Sequence, residues 1–211
     1  MLTLYGHPIS AFSWKAQTAL YENDIPFDFV TVDQDSYAEF QALWPIAKFP
    51  VLRDSDRGEV VRESSLVIEY LDTNYPGRTR FLPDDRDLAR EVRLWDRVFD
   101  NYVSTPMQKI VTDRIRPEGK NDPHGVEDAR KLLRTAYGVI EAQLGDSAFI
   151  VGDNFTLADC AAAPALYYAG RNEQVDAFPR LAAYRQRLIE RPSFARALEG
   201  AQPLFHMYPG D

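Results

Sequence analysis

A change in hydrophobic pattern near residue 76 constrains the fold of this chain more than any other feature. Before that point, short aromatic and β-branched runs alternate with segments of helical spacing; after residue 87 only helical spacing is found. Strands interleaved with helices favour a sheet covered by helices, and a purely helical remainder favours a separate unit. The pattern therefore predicts an α/β domain over residues 1–76, a linker over residues 77–87 and an all-α domain over residues 88–211.

The first domain is predicted as strand, helix, strand, helix, hairpin and helix. The strand over residues 27–32 has apolar residues on both faces, which is typical of a parallel strand covered on both sides. Together with the later hairpin, this βαβ start predicts a small mixed sheet. Strands are expected over residues 2–5, 27–32, 51–53 and 59–62, and helices over residues 10–23, 36–43 and 65–75.

The second domain shows two apolar stripes at helical spacing. Further helices are predicted near residues 157–171, 180–190 and 193–199. Thr156 and Asp159 form a capping box at the first of these helices, a purely structural motif, and Cys160 beside it is interpreted as a core thiol. One stripe comprises Leu88, Val92, Trp95, Phe99 and Tyr102, and the other Val126, Ala129, Leu133, Ala136, Ile140 and Leu144.

The charge balance limits the partners of this protein. Its formal net charge is -8, and no stripe of lysine or arginine offsets that charge locally, so nucleic acid is not an expected partner. The longest mostly apolar run, residues 160–170, is shorter than the roughly 20 residues that cross a bilayer. No signal peptide is recognisable, and a single cysteine suits a reducing compartment, so we expect a cytoplasmic protein without membrane spans.

The sequence contains no motif for metal binding, nucleotide binding or serine-hydrolase chemistry. His7, His124 and His206 are far apart and lack the spacing of metal ligands. The patterns CxxC, HExxH, GxGxxG and GxSxG are absent from the chain. We therefore expect no bound metal.

Three junctions between strands and helices could form a catalytic or ligand-binding site. Ser10 and Ser13 stand at the start of the first helix, where either could simply be a cap. The segment Lys48-Phe49-Pro50 precedes a strand and is, by itself, only a turn signal. Glu63-Ser64-Ser65 opens a helix, where a carboxylate, a hydroxyl and free amides could either cap that helix or hold a charged end of a ligand.

Four segments together resemble the soluble glutathione transferase family. They are LYGHPISAFSWK (residues 4–15), KFPVL (48–52), ESSLVIEYL (63–71) and FTLAD (155–159). Each is a weak signal alone; their order and spacing carry the resemblance over nearly the whole chain. It implies a thioredoxin-like N-terminal domain with a four-stranded mixed sheet, an all-helical C-terminal domain, glutathione as the co-substrate and a homodimer.

The resemblance also implies roles for individual residues. Pro50 would be the cis-proline of the fold, and Phe49 would offer backbone groups to the cysteinyl part of glutathione. Glu63 and Ser64 would hold the γ-glutamyl end. The Glu63 carboxylate would pair with its ammonium, and the Ser64 hydroxyl and the helix amides would donate to its carboxylate. Ser10 would activate the thiol for attack on a small electrophile. Lys48 could reach the glycyl carboxylate.

Within the family, the N-terminal motif is similar to that of the zeta class. That class has two serines and a cysteine where this chain has Ser10, Ala11 and Phe12. Arg171 falls where zeta members carry an arginine that grips maleylacetoacetate, so a glutathione-dependent isomerase is an alternative. Arg171 could equally be a surface arginine favoured at a helix C-terminus. A non-catalytic relative that keeps the fold for binding is the third possibility.

The second substrate is expected between the two domains. Its identity is not encoded in any motif of the sequence. The C-terminal segment Phe205-His206-Met207-Tyr208 is a candidate lid over that region. The residues expected to line the second-substrate pocket are Ile9, Phe12, Met107, Ile110, Tyr167 and Arg171.

Overall fold

The computed structural model describes residues 1–209. In its N-terminal part, four strands form one sheet in the order β2-β1-β3-β4, with β1 parallel to β2 and antiparallel to β3. The predicted mixed sheet is thereby confirmed. The elements are β1 (Leu2–Gly6), α1 (Ala11–Glu22), β2 (Asp28–Thr31), α2 (Tyr37–Leu43), β3 (Val51–Asp54), β4 (Glu59–Arg62) and α3 (Ser64–Asn74).

The C-terminal part consists of helices, which confirms the predicted all-α domain. None of the helices within residues 1–209 combines the length and apolar character needed to cross a membrane. The elements are α4 (Arg86–Val98), a π-helical segment (Phe99–Ser104), α5 (Thr105–Arg114), α6 (Pro123–Leu144), α7 (Leu157–Asn172), α8 (Pro179–Glu190), α9 (Pro192–Ala201) and a final 3₁₀ segment (Gln202–Met207).

Strand β2 differs from the prediction of a strand covered on both faces. It is an edge strand that pairs only with β1, and its end residues Asp28 and Thr31 are exposed. Phe29 and Val30 between them are half-buried. Aromatic and β-branched residues favour any partly buried pleated surface, so composition did not distinguish an edge strand from a central one.

The π-helical segment explains a second difference. A π-helical turn closes its hydrogen bonds over five residues rather than four, so the helix face shifts by one residue relative to an α-helix. Val103 is therefore fully buried, whereas Tyr102, predicted on the apolar stripe, is 50% exposed. Phe99 at the start of the segment is buried as predicted.

The link between the two parts is anchored rather than loose. Between α3 and α4 the chain forms neither helix nor strand, yet Phe81 in this stretch is fully buried. The Phe81 N–H donates to the Asp72 carboxylate at 2.8 Å, and the Phe81 carbonyl accepts from the Leu157 N–H at 3.0 Å. This residue therefore ties α3 to the start of α7.

Helix α7 is the central element of the helical domain and packs against α1. Its start carries the predicted capping box, because the Asp159 carboxylate accepts from the Thr156 N–H at 2.8 Å. Cys160 is fully buried, and that burial raises the pKa of its thiol well above the usual value, as expected for a core residue. The contact of α1 with α7 fixes where the N-terminus of α1 lies relative to the helical domain.

Candidate active site

A cavity of about 510 Å³ lies where the starts of α1 and α3 meet the loop before β3. Such a volume is typical of sites for small molecules. The cavity brings together every residue for which the family resemblance implies contact with glutathione, although these residues come from three separate segments. Its lining residues are Ser10, Phe12, Ala47, Lys48, Phe49, Pro50, Glu63, Ser64 and Gln108.

Ser10 is the N-cap of α1 at one end of this cavity. Its hydroxyl oxygen accepts from the Ser13 N–H at 3.3 Å, and its own N–H donates to the His7 carbonyl at 2.9 Å. A hydroxyl that accepts at a cap still has its hydrogen available for donation. The helix N-terminus adds a partial positive charge at the same place, so this end of the cavity can stabilise a negatively charged group.

The two other hydroxyls near this end point elsewhere. Ser13 is fully buried, and its oxygen accepts from the His7 N–H at 3.1 Å. The Tyr5 hydroxyl donates to Glu39 at 2.8 Å, and burial together with that hydrogen bond raises the pKa of Tyr5. Neither residue lines the cavity.

The loop before β3 forms the middle of the cavity. The Phe49–Pro50 peptide bond is cis. The Phe49 ring stacks on His7 with centroids 6.1 Å apart and lies 6.2 Å from the ring of Phe40. These contacts fix the ring, so the Phe49 backbone is held at the cavity wall.

Glu63 joins β4 to α3 in an unusual backbone conformation. Its φ of 69° is rare for a residue with a side chain, and Ala47, which also lines the cavity, has a φ of 54°. Among residues 1–209, Asp24 is the third non-glycine residue with positive φ, and it lies elsewhere. Such conformations cost free energy and concentrate at functional sites. No sequence signal indicated this strain, since the segment reads as an ordinary helix cap.

A buried charge cluster that sequence reasoning missed contacts Ser65, the residue after Ser64. The Lys15 ammonium is 1% exposed and lies 2.9 Å from both the Asp100 carboxylate and the Ser65 hydroxyl. It also pairs with Asp96, and Arg97 contacts both carboxylates. Burial raises the pKa of the Asp100 carboxyl, and the Lys15 charge opposes that shift. The cluster therefore joins α1, α3, α4 and the π-helical segment next to the cavity.

The residues expected to line a second-substrate pocket are scattered. Only Phe12 lines the cavity that holds Ser10. Met107 and Ile110 are 3% and 2% exposed and belong to the hydrophobic core, because apolar residues at helical spacing usually mark the packed face. Gln108, adjacent to Met107, reaches the cavity instead, and no apolar pattern could have indicated it.

The remaining candidates contact or belong to an aromatic cluster that α7 and the C-terminal segment form together. Tyr167 lies 6.0 Å from Phe205, and Arg171 stands over the Tyr167 and Phe205 rings at 5.8 and 5.9 Å. The Ile9 carbonyl accepts from the Tyr168 hydroxyl. Ile9, Tyr167 and Arg171 are thus absent from the lining of the Ser10 cavity, and the expected lid segment packs on α7 instead.

Metal ligands do not gather within the described part of the chain. Among residues 1–209, no group of three or more His, Cys, Asp or Glu side chains could hold a metal ion. The cavity presents two hydroxyls, a carboxylate, an ammonium and helix N-termini. Such a set suits a zwitterionic ligand that carries several charges of its own.

A thioredoxin-like sheet joined to an all-helical domain, with the cavity at the start of α1, is the architecture of glutathione transferases. Residues 4–79 match the family described as glutathione S-transferase, N-terminal domain, and residues 123–187 match glutathione S-transferase, C-terminal domain. Glutathione S-transferase 3 of Zea mays is 32% identical in an alignment of 209 positions, which covers 93% of this chain and 93% of its own. The chain therefore belongs to the glutathione S-transferase family.

Two solved structures of similar proteins extend this likeness to the fold. A glutathione S-transferase from Methylobacillus flagellatus with GSH bound has a TM-score of 0.83 at 27% identity, covering 93% of this chain and 98% of its own. One from Methylobacterium radiotolerans, in complex with glutathione sulfonate, has a TM-score of 0.81 at 29% identity and covers 93% of both chains. These relatives place the present fold among proteins whose structures contain glutathione or a derivative of it.

Proposed function

We propose that this protein binds glutathione in the cavity between Ser10 and Glu63 and activates its thiol for attack on a small electrophile. The observation that carries the proposal is the convergence of Ser10, the Phe49–Pro50 loop and the Glu63–Ser64 junction on one cavity. The strained backbone of Glu63 at that cavity supports it further. Family membership makes glutathione the expected ligand.

The charges of the cavity suit the three parts of glutathione. The γ-glutamyl ammonium pairs with Glu63, and the neighbouring carboxylate accepts from the Ser64 hydroxyl and the first amides of α3. The cysteinyl part lies along the Phe49 backbone. The glycyl carboxylate reaches Lys48, which is exposed at the rim. This placement brings the thiol to Ser10.

The start of α1 has the means to ionise that thiol. A free cysteine thiol has a pKa near 8.5, and lowering it by about two units requires roughly 2.7 kcal/mol. A helix N-terminus contributes about 0.3–1 kcal/mol, and a hydrogen bond to a charged group about 1.5–3 kcal/mol. Ser10 combines both, since it caps α1 and keeps its hydroxyl hydrogen available. Their combined contribution, about 1.8–4 kcal/mol, spans the roughly 2.7 kcal/mol required.

The Glu63→Ala variant tests the binding mode. It should weaken glutathione binding about tenfold or more, because the bound ammonium loses a charged partner worth about 1.5–3 kcal/mol. Calorimetric titration with glutathione measures the change. Glu59→Ala is the matched control, since Glu59 is an exposed carboxylate on β4 outside the cavity. Equal affinities of Glu63→Ala and the wild type would contradict this placement of the γ-glutamyl end.

The electrophile is expected to bind in the same cavity, beside the proposed glutathione contacts. Phe12, Ala47 and Gln108 are the lining residues outside the proposed glutathione contacts, so they are the first candidates to contact the electrophile. Arg171 stands over aromatic rings away from this cavity, so its position gives the isomerase alternative no support. Purified protein with glutathione should turn over at least one compound from a panel of aryl halides, epoxides, peroxides and maleylacetone. Tight binding of glutathione with no turnover would favour a binding protein instead.

We further propose a cytoplasmic homodimer that detoxifies electrophiles. Leu66 on α3 and Leu94 on α4 are 54% and 51% exposed, and Tyr102 after them is 50% exposed. Large apolar side chains on neighbouring elements are typical of a surface that a partner covers. The mass in solution, measured by light scattering after gel filtration, should be twice that of the chain.

A further inference from the structure

Two consecutive carbonyl groups before Ser10 are held by buried aromatic donors. The Trp14 indole N–H donates to the Pro8 carbonyl, and the Tyr168 hydroxyl donates to the Ile9 carbonyl at 2.6 Å. Trp14 is fully buried and Tyr168 is 3% exposed. Buried donors of this kind usually keep their partners, because breaking such a bond leaves a polar group without water.

Tyr168 reaches this loop from the other domain. It lies on α7, whereas the loop belongs to the N-terminal domain, so its hydrogen bond spans 159 residues of sequence. Its ring stacks on Trp14 with centroids 4.9 Å apart and an interplanar angle of 8°. Tyr208 also stacks with it at 5.0 Å, and Asn172 donates to the Tyr208 hydroxyl at 2.8 Å. These contacts fix the Tyr168 ring.

The Ile9 carbonyl is mechanically coupled to Ser10. The carbonyl of one residue and the N–H of the next lie in the same rigid peptide plane. The Tyr168 hydroxyl therefore holds one side of the Ile9–Ser10 peptide, while the Ser10 N–H donates from the other side to the His7 carbonyl at 2.9 Å. Rotating that plane would break both hydrogen bonds and move the Ser10 hydroxyl.

We infer that Tyr168 is a positioning residue for thiol activation, which holds the Ser10 hydroxyl in place through the Ile9 carbonyl. This inference rests on the proposed function of Ser10. The hydroxyl remains a donor throughout the working range, because burial raises the pKa of Tyr168 well above its ordinary value. Misplacement of a reacting group by a fraction of an ångström reduces catalysis although the group itself is intact.

Removal of the Tyr168 hydroxyl alone tests this role. Tyr168→Phe keeps the ring stacking and deletes only the donor. In this variant the thiol pKa of bound glutathione should rise by about half a unit to one unit, and conjugation of an aryl halide at pH 6.5 should slow about three- to tenfold. The KM for glutathione should change by less than about twofold, because the γ-glutamyl contacts are untouched.

Tyr167→Phe is the matched control. Tyr167 lies on the same helix and in the same aromatic cluster, and its hydroxyl is 3.5 Å from the Arg171 guanidinium rather than at the loop. This variant should keep the wild-type thiol pKa. Thermal unfolding of both variants separates a loss of stability from a change in the thiol pKa. A lower melting temperature with an unchanged thiol pKa in Tyr168→Phe would overturn the inference.

The Ser10→Ala background distinguishes the inference from the proposed function. If Tyr168 acts through Ser10, Tyr168→Phe should add no further rise in thiol pKa once Ser10 is alanine. An equal further rise would overturn the positioning role. A raised pKa in Ser10→Ala, with the wild-type value in Tyr168→Phe, would overturn this inference and leave the function standing. A wild-type pKa in Ser10→Ala would overturn the role of Ser10 and the positioning with it.

Discussion

The Ser10→Ala variant should lower kcat/KM for conjugation of an aryl halide about 10- to 100-fold at pH 6.5, because a hydrogen bond to the thiolate is worth about 1.5–3 kcal/mol. The KM for glutathione should change little, since the contacts of the γ-glutamyl end are intact. Loss of the cap on α1 should also lower the free energy of unfolding by about 1 kcal/mol. Steady-state kinetics and denaturant unfolding measure the two effects separately.

The pH dependence of this variant identifies the cause. Without Ser10 the thiol pKa rises toward its ordinary value near 8.5, so the deficit should be largest below that pH. Above about pH 9 the thiol ionises without help, and the deficit should shrink. Ser13→Ala is the control, because the Ser13 hydroxyl is buried and bonded to the His7 N–H. A deficit found in Ser13→Ala but not in Ser10→Ala would move the activating role to Ser13.

The Lys15→Met variant should lower the free energy of unfolding by about 3–5 kcal/mol, the usual cost of breaking a buried ion pair from one side. Methionine fits the space of the lysine stem, so the loss is mainly electrostatic. Asp96 and Asp100 would face each other in the interior with only Arg97, which is half-exposed, to balance them. Chemical denaturation monitored by circular dichroism measures the loss.

Two further variants identify the origin of that loss. Lys131→Met removes an exposed ion pair with Asp128, and it should change stability by less than about 0.5 kcal/mol. Adding Asp100→Asn to Lys15→Met should recover part of the stability, because it removes one unpaired buried charge. If Lys15→Met unfolds like Lys131→Met, the cluster does not hold the domains together.

Local patterns identified most of the elements of this fold. Helix α1 was expected over residues 10–23, and the structure places it at Ala11–Glu22 with Ser10 as its N-cap. The capping box of Thr156 and Asp159 was equally visible, since its signal lies within four residues. The edge position of β2 and the π-helical segment were not, because both depend on neighbours distant in sequence or on hydrogen bonds that residue types do not specify.

Some residues of the candidate site could likewise be predicted from the sequence, and others could not. Ser10, Glu63 and Ser64 stand at junctions between strands and helices, where the resemblance pointed and where the cavity lies. Lys15 showed no signal, because a lysine within a helix is normally exposed and its partner Asp100 is 85 residues away in the sequence. Met107 was misleading, because an apolar helical pattern indicates packing and does not tell a core from a substrate pocket.

Titration of the thiolate absorbance of glutathione bound to the wild-type protein shows whether the bound thiol is activated. The complex, formed at saturating protein over glutathione, is followed from acid to alkaline pH. If the cavity between Ser10 and Glu63 activates the thiol, its pKa in the complex should lie at least about one unit below the free value near 8.5. A pKa of about 8.5 in the fully formed complex, or no binding of glutathione at all, would show that this cavity does not activate the thiol.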